Sequence, residues 1–435
     1  MFIGRWSPDH GVMAGTKRPY DIIVWGATGV AGGLLADYLV DQYTPSQLSV
    51  ALGGRDPDRL EGVAATLADR YDGWDELLTV VGDATQIDTL RAVVEQTSVI
   101  CTTVGPYTTY GTPLVEACID AGTDYCDLTG EVNWVRETVD RYHDAAVGSD
   151  TRIVHSCGFD SVPADLGTTL VQSYATETYD SPCDVVQIYL ADGDGGVSGG
   201  TLASFGELFE AASTDPIAKH TIENPYALAP SGERDGVDPG EQTGPQRDRL
   251  GPGWTAPSPM APVNERIVRR SNALLNYPWG REFRCTEVVP TGSGARGAAE
   301  AALIAASLAG FKTVMGIDTL RDGIREYVFP DPGEGPTRAA AMDGSFTVRI
   351  LGRGTGTDGR FTVEATVGAD MDPGYGATAR MLGESGVALL RGDTDSPLDG
   401  GVLTPASAIG EPLADRLRAI GFTISVGDTS AGASA

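Results

Sequence analysis

Lysine is nearly missing from this 435-residue chain, occurring only at Lys17, Lys219 and Lys312. Arginine does not make up the deficit: Lys+Arg total 31 against 60 Asp+Glu, a net charge of −29. Nucleic acids and anionic membranes are bound through positive patches, so the shortage argues against both as partners. It fits a high-salt cytoplasm, where screening tolerates dense like charge. An acidic but mesophilic protein is the alternative. Paired cysteines are lacking too. Cys101, Cys118, Cys126, Cys157, Cys183 and Cys285 form no C-x-x-C and are spread through apparent core elements. They read as buried thiols in a reducing, cytoplasmic setting, not as a disulfide frame or a zinc site. No signal peptide is visible, and no apolar run reaches the length that spans a bilayer. The nearest to one, Ala301 to Phe311, is short and alanine-rich, and predicts a buried helix. There are no internal repeats.

What is present is organised around Tyr20 to Gly32. Ile22, Ile23, Val24 and Trp25 form an apolar run that suits a strand covered on both faces. Gly26-Ala27-Thr28-Gly29-Val30-Ala31-Gly32 follows with glycine at every third position, and apolar residues then recur at helical spacing through Val30, Leu34, Leu35, Tyr38 and Leu39. In a strand–turn–helix unit Gly26 permits the tight turn, Gly29 lets backbone approach a pyrophosphate, and Gly32 lets the helix pack on the strand. The helix start supplies free N–H groups and a positive dipole end to the phosphates. With 57 glycines some triplets arise by chance. The position between strand and helix is what points to dinucleotide binding.

The chain is too long for one ordinary core, and two domains are expected. Strands are predicted at Leu48–Leu52, Leu77–Val81, Val99–Val104, Asp124–Leu128 and Arg152–His155, with helices between them, one opening at Asp56-Pro57. This alternation predicts an α/β fold with a doubly wound parallel sheet. Beyond Tyr174 the pattern changes. Alternating residues at Phe346–Ile350 and Phe361–Val367, with Gly352–Gly359 between them, predict a hairpin with a glycine-rich turn, so the second domain is α+β with antiparallel sheet. The expected division is an extension at 1–19, within which Met13 offers a second start, a nucleotide domain at 20–177, a substrate or dimerisation domain at 178–372, and C-terminal helices at 373–435 that return to the first domain. Residues 224–262 are dense in proline and glycine and read either as a solvated loop or as a lid or partner contact.

The second strand ends in Gly53-Gly54-Arg55. A carboxylate for a ribose 2′-hydroxyl is missing there, and a guanidinium suited to a 2′-phosphate stands in its place. NADP(H) is the expected cofactor, unless Arg55 only stacks on the adenine. Asp83-Ala84 falls at the adenine edge, and Val104-Gly105-Pro106-Tyr107 on the nicotinamide side.

Val104–Tyr107, Gly122–Glu131 and Cys157–Gly167, with Ser198-Gly199-Gly200-Thr201 and Thr404–Gly410, resemble the saccharopine dehydrogenase-like oxidoreductases, and more narrowly their trans-acting enoyl reductase branch. The resemblance runs from about Tyr20 to Phe422. It implies a Rossmann domain with a second α/β domain, a nicotinamide cofactor, and reduction of double bonds in lipid or polyketide intermediates. The segment from Asn224 to Pro262 and the extreme charge fall outside the family pattern.

Hydride transfer needs cofactor and substrate face to face with a proton donor or acceptor in reach. The candidates follow the strands. Tyr107 donates a proton or walls the nicotinamide, or is a packing residue with its hydroxyl paired. Glu131 titrates if desolvated, or is a helix N-terminal carboxylate favoured by the dipole. Asp160 and Ser161 act in catalysis, or cap the helix that Pro163 helps to start. His155 reads as a satisfied strand-end residue. The Tyr-x-x-x-Lys pair of short-chain dehydrogenases is absent, since Met13, Asp215 and Leu308 stand four before the lysines. The expectation is an NADP(H)-dependent oxidoreductase reducing a C=C, C=O or C=N bond of a lipid-like or small substrate. A silent NADP(H)-binding sensor or scaffold is the rival. A saccharopine-type reductase is a weaker one, because it needs clustered arginines and only Arg281 and Arg284 lie close in sequence. A cytoplasmic homodimer is expected, with no integral membrane span.

Overall fold

The computed structural model describes residues 18–74, 76–193, 216–315 and 337–429. Met13, Ser198–Thr201 and the residues after Thr429 lie outside these residues. The apolar run after Tyr20 forms β1 (Tyr20–Trp25), and Val30–Gln42 forms α1. The alternation continues through β2 (Val50–Gly54), α2 (Pro57–Arg70), β3 (Leu78–Val81), α3 (Ile87–Val94), β4 (Thr97–Thr102), α4 (Tyr107–Ala121), β5 (Asp124–Cys126), α5 (Val132–Gly148), β6 (Arg152–Val154) and α6 (Val162–Tyr179). Asp56 caps α2 by accepting the Arg59 N–H, with Pro57 in the first turn, as its sequence predicts. The strands lie in the order β3-β2-β1-β4-β5-β6, all parallel. Chain direction across the sheet reverses between β1 and β4, which is where such folds open a crevice for a nucleotide.

The second sheet is mixed. It comprises β7 (Cys183–Gly193), β8 (Gln246–Arg247), β9 (Trp254–Pro257), β10 (Arg284–Gly292), β11 (Phe346–Gly356), β12 (Gly359–Ala369) and β14 (Thr423–Asp428), in the order β14-β12-β11-β7-β10-β9-β8. Only β7 and β10 pair in parallel; the other neighbours are antiparallel. Between the two sheets, α6 packs its buried face on β11 and β12. The strand β13 (Gly401–Leu403) extends the first sheet beside β6. At three residues β13 is too short to show a period, whereas Ile424 and Val426 of β14 do alternate with polar residues; only helices are expected there from the sequence.

Three further expectations are corrected. The glycines from Gly352 to Gly356 are not a turn: β11 and β12 stay paired out to Gly356 and Gly359. They serve close approach, since a Cβ at Gly352 would stand 2.3 Å from Val171 of α6. The stretch 224–262 is not one loose loop. It contributes β8 and β9, and buried arginines of the helix Ala261–Leu274 grip its first part. Arg266 donates to the carbonyls of Ile222, Asn224 and Pro262, Arg269 to that of Pro225, and Arg270 to that of Leu228. The alanine-rich segment is not buried. It belongs to the helix Gly294–Met315, which packs Gly297, Ala301 and Ala305 on the second sheet and leaves Leu303 69% exposed. With an 18-residue window of mean hydropathy 1.4, it is the one helix among the described residues long and apolar enough to cross a membrane.

Candidate functional site

The glycine turn is built by contact. Gly26 has φ +95°, and a Cβ there would meet Val104 at 2.7 Å. A Cβ on Gly32 would lie 2.1 Å from the Gly26 carbonyl oxygen. Only glycine lets α1 start so close to the turn. Gly29 is the N-cap of α1, and no side chain caps that helix. Its first N–H groups and the dipole therefore point at whatever lies over Ala27, Thr28 and Val30. These are the features a pyrophosphate requires.

Next to this turn, Gly54 ends β2 and Arg55 follows, exposed. One helical turn on, Arg59 donates to the Thr28 carbonyl at 3.2 Å. Sequence reading missed Arg59, although its i, i+4 relation to Arg55 was a usable signal. The exposed Asp83 follows β3 and accepts from the Thr85 N–H at 2.8 Å. That bond, with the Thr85 hydroxyl and Arg55, holds its carboxyl below the usual range. Ala84 is beside it. Two guanidiniums thus lie beside the open start of α1, and the residues fit a dinucleotide carrying an extra phosphate.

Val104, Gly105 and Pro106 connect β4 to α4, with Pro106 as its N-cap. The carboxylate of Glu131 lies across this helix start and accepts the N–H groups of Tyr107 and Thr108, each at 2.8 Å. Burial pushes its carboxyl up, against the pull of those two bonds. It stands at the N-cap position of α5, as a helix-terminal carboxylate would, but its oxygens bond the start of α4 and not that of α5. The Tyr107 hydroxyl donates to the Thr102 carbonyl at 3.3 Å and accepts from the Leu128 N–H at 3.2 Å. Tyr107 is 6% exposed and stacks on Trp134, and burial raises its hydroxyl well above the ordinary value.

Beyond β5 and β6 a second network follows. Asp127 accepts from Tyr125 at 2.9 Å and contacts His155 Nδ1 at 2.7 Å, and His155 Nε2 contacts Thr138 at 3.0 Å. His155 is satisfied on both nitrogens. Ser161 stands at the N-cap position of α6 without capping it. Its hydroxyl donates to Asn264 Oδ1 at 2.9 Å, and Asn264 Nδ2 donates to Glu287 Oε2 at 2.6 Å. Asp160, partly exposed, faces Glu287 electrostatically. Asn264 and Glu287 come from the second sheet and its helix, more than a hundred residues from Ser161, so no local pattern announces them. Arg281 and Arg284 do not pair: Arg281 stacks over Tyr277 at 3.8 Å and reaches Glu233, while Arg284 opens β10.

Residues 22–154 match the saccharopine dehydrogenase NADP-binding domain family. A Mycobacterium tuberculosis protein named for trans-acting enoyl reduction is 40% identical over 427 residues, covering 95% of this chain and 98% of that protein. A trans-acting enoyl reductase of Mycobacterium bovis is 38% identical over 427 residues, with 95% and 99% covered. Apo saccharopine dehydrogenase (L-Glu forming) from Saccharomyces cerevisiae shares the fold, with a TM-score of 0.51 at 12% identity over 94% of this chain and 100% of that one. The glycine cradle, the match of residues 22–154 to the NADP domain and the 38–40% identity over 95% of the chain converge: this chain is an NADP-dependent oxidoreductase and belongs to the trans-acting enoyl reductase branch of the saccharopine dehydrogenase-like family.

Proposed function

We propose that the chain reduces the C=C bond of an enoyl group in a lipid-like substrate at the expense of NADPH; reduction of a C=O or C=N bond in a small metabolite is the same chemistry with another acceptor. The observation that carries this is the juxtaposition, along one sheet edge, of a pyrophosphate cradle, the guanidiniums of Arg55 and Arg59, and a buried acid–amide–hydroxyl network after β6. In this reading Gly26, Ala27, Thr28, Gly29, Val30 and Gly32 hold the pyrophosphate. Gly54, Arg55, Asp83 and Ala84 flank the adenosine, and Val104, Gly105, Pro106 and Tyr107 wall the ring. The nicotinamide, when bound, supplies a hydride. Glu131 keeps α4 in place beneath it, and Asp160 and Ser161 face the substrate side. The relatives' names support an enoyl acceptor for this chain.

A second reading keeps NADP(H) binding without turnover. It is favoured by the full engagement of the Tyr107 hydroxyl and of the Glu131 carboxylate in internal hydrogen bonds. Steady NADPH oxidation with an enoyl thioester at molar KCl supports the reductase; tight binding with no turnover across enones, ketones and imines supports the sensor. We further propose a cytoplasmic, salt-adapted protein, supported by the net charge of −29 and by free, buried thiols, and a homodimer paired through its second domain. Light scattering at molar KCl giving a single-chain mass would remove the dimer from this proposal.

A further inference from the structure

We propose that Asp127 is a positioning residue for the nicotinamide end of the site: its carboxylate clamps together the turns that follow β5 and β6 and, through the first of them, holds Tyr107 and the start of α4. Its link to turnover rests on the reductase reading; the clamp stands on geometry alone. Asp127 follows β5, is 0% exposed and meets four donors. Oδ1 accepts the N–H of Thr129 and that of Ser156, each at 3.0 Å. Oδ2 accepts the Tyr125 hydroxyl at 2.9 Å and lies 2.7 Å from His155 Nδ1. The Asp127 carbonyl accepts the Cys157 N–H at 2.7 Å. A carboxylate has lone pairs for four such partners, whereas an amide oxygen has two.

Burying a carboxylate is costly. Pairing of the strands does not require one here, since β5 and β6 are joined by their own ladder. What the carboxylate adds lies past the strand ends, where it ties an N–H of one turn to an N–H of the other. Ser156 shows what that tie sustains. It is buried with φ +63°, a left-handed conformation that a non-glycine residue seldom adopts. Asp127 holds its N–H, and its hydroxyl donates to the Thr129 carbonyl at 2.6 Å.

From the first turn the contacts run on to the ring wall. The Thr129 hydroxyl accepts the Glu131 N–H at 3.1 Å. Glu131 accepts the N–H groups of Tyr107 and Thr108, and Leu128 gives its N–H to the Tyr107 hydroxyl. One turn thus grips Tyr107 at its backbone and at its hydroxyl, and Asp127 sets the shape of that turn. Gly105 and Pro106 directly precede Tyr107, so a shift of the turn displaces the segment proposed to wall the nicotinamide. The pyrophosphate cradle on β1 and α1 takes part in none of these bonds.

The test compares wild type, Asp127→Ala, Asp127→Asn and Thr129→Val as full chains at molar KCl. Amide hydrogen exchange is read without cofactor, and kcat with NADPH and an enoyl thioester. Binding of 2′,5′-ADP, which reaches only the adenosine side, controls for the fold. Asp127→Ala should speed exchange at Thr129, Glu131, Ser156, Tyr107 and Thr108 about tenfold, for the hydrogen bonds lost. Its kcat should fall about a hundredfold, the cost of a misplacement near 1 Å, with 2′,5′-ADP affinity unchanged. Asp127→Asn keeps Oδ1 for the two N–H groups and gives up only Tyr125 and His155. It should lower Tm yet retain the exchange pattern and most of kcat, whereas a merely structural role would move Tm and kcat together. Thr129→Val keeps its own N–H bond and removes the acceptor of the Glu131 N–H. It should speed exchange at Tyr107 and Thr108 while Ser156 stays protected, and it decides the matter if Asp127→Ala does not fold. Wild-type exchange or wild-type kcat in Asp127→Ala overturns the proposal, as does full protection of Tyr107 and Thr108 in Thr129→Val. The expected exchange pattern with no turnover on any acceptor upholds the clamp and refutes the reductase reading.

Discussion

Gly32 shows how much can rest on one missing methyl. Its Cβ would sit 2.1 Å from the Gly26 carbonyl, a backbone atom that has nowhere to go. Gly32→Ala should therefore cost about 2–4 kcal/mol of stability, from strain of the overpacking kind, and abolish NADPH retention; a variant with wild-type urea midpoint and affinity would refute the contact. Arg55 tests the extra phosphate. A charged hydrogen bond is worth about 1.5–3 kcal/mol, so Arg55→Ala should weaken NADPH binding roughly ten- to a hundredfold and leave NADH unchanged, as read by titration of NADPH fluorescence. Arg59→Ala should add to that loss. The positive φ of Gly26 and the close approach at Gly32 were legible because both are set by the backbone of one strand–turn–helix unit. The surroundings of Tyr107 were not: Thr102 is five residues away, but Leu128 meets the hydroxyl only after β4 and β5 have paired.

Among elements, α4 depends on a carboxylate that is not its own. Glu131 satisfies two N–H groups that the helix cannot satisfy internally. Glu131→Ala should lower stability by about 1–3 kcal/mol through loss of that cap, and a melt with unchanged Tm would contradict it. Helix α6 carries a second isolated acid. Asp165 is buried, accepts from Ser271 and from the Ala406 N–H, and ties α6 to the segment after β13. Burial pushes its carboxyl up to about 6, opposed by Ser271, the Ala406 N–H and Thr404. Raised in the native state, it contributes stability that is complete below its unfolded value near pH 4 and is lost as pH climbs to about 6. The loss amounts to about 3 kcal/mol at most. Relative to wild type, Asp165→Asn should therefore gain stability between pH 4 and 6 and no further above it, as measured by urea denaturation; a pH-independent difference would show that Asp165 titrates normally. The helix Gly294–Met315 teaches the converse. Its composition suggested burial, yet small side chains pack through a narrow face, and the sheet needs only Gly297, Ala301 and Ala305.

At the scale of the whole molecule, the net charge of −29 acts on every element at once. Self-repulsion destabilises the compact state and is screened over about 3 Å at 1 M salt against about 10 Å at 0.1 M. Raising KCl from 0.1 M toward 2 M should lift Tm by more than 10 °C if the surface is salt-adapted; a flat or falling Tm would return it to an ordinary acidic protein. The two sheets are held as one body by buried polar and charged links. Arg270 donates to the Val402 carbonyl of the first sheet from a helix of the second unit, and Ser161 meets Asn264.

The alternation that predicts a parallel sheet, the glycine turn, the NADP cofactor and the family itself were all contained in the linear chain. Each depends on residues near one another, whose spacing records the backbone they must adopt. Only the tertiary structure decided which carboxylates are paired and which stand alone. Glu131 found a helix start across the sheet, while Asp165 and Glu287 met hydroxyls, amides and, among the described residues, no cation. The reason is physical: a backbone conformation is set by local sterics, but the cost of a charge is set by everything that displaces water around it, and that is assembled from segments that meet only when the chain has folded.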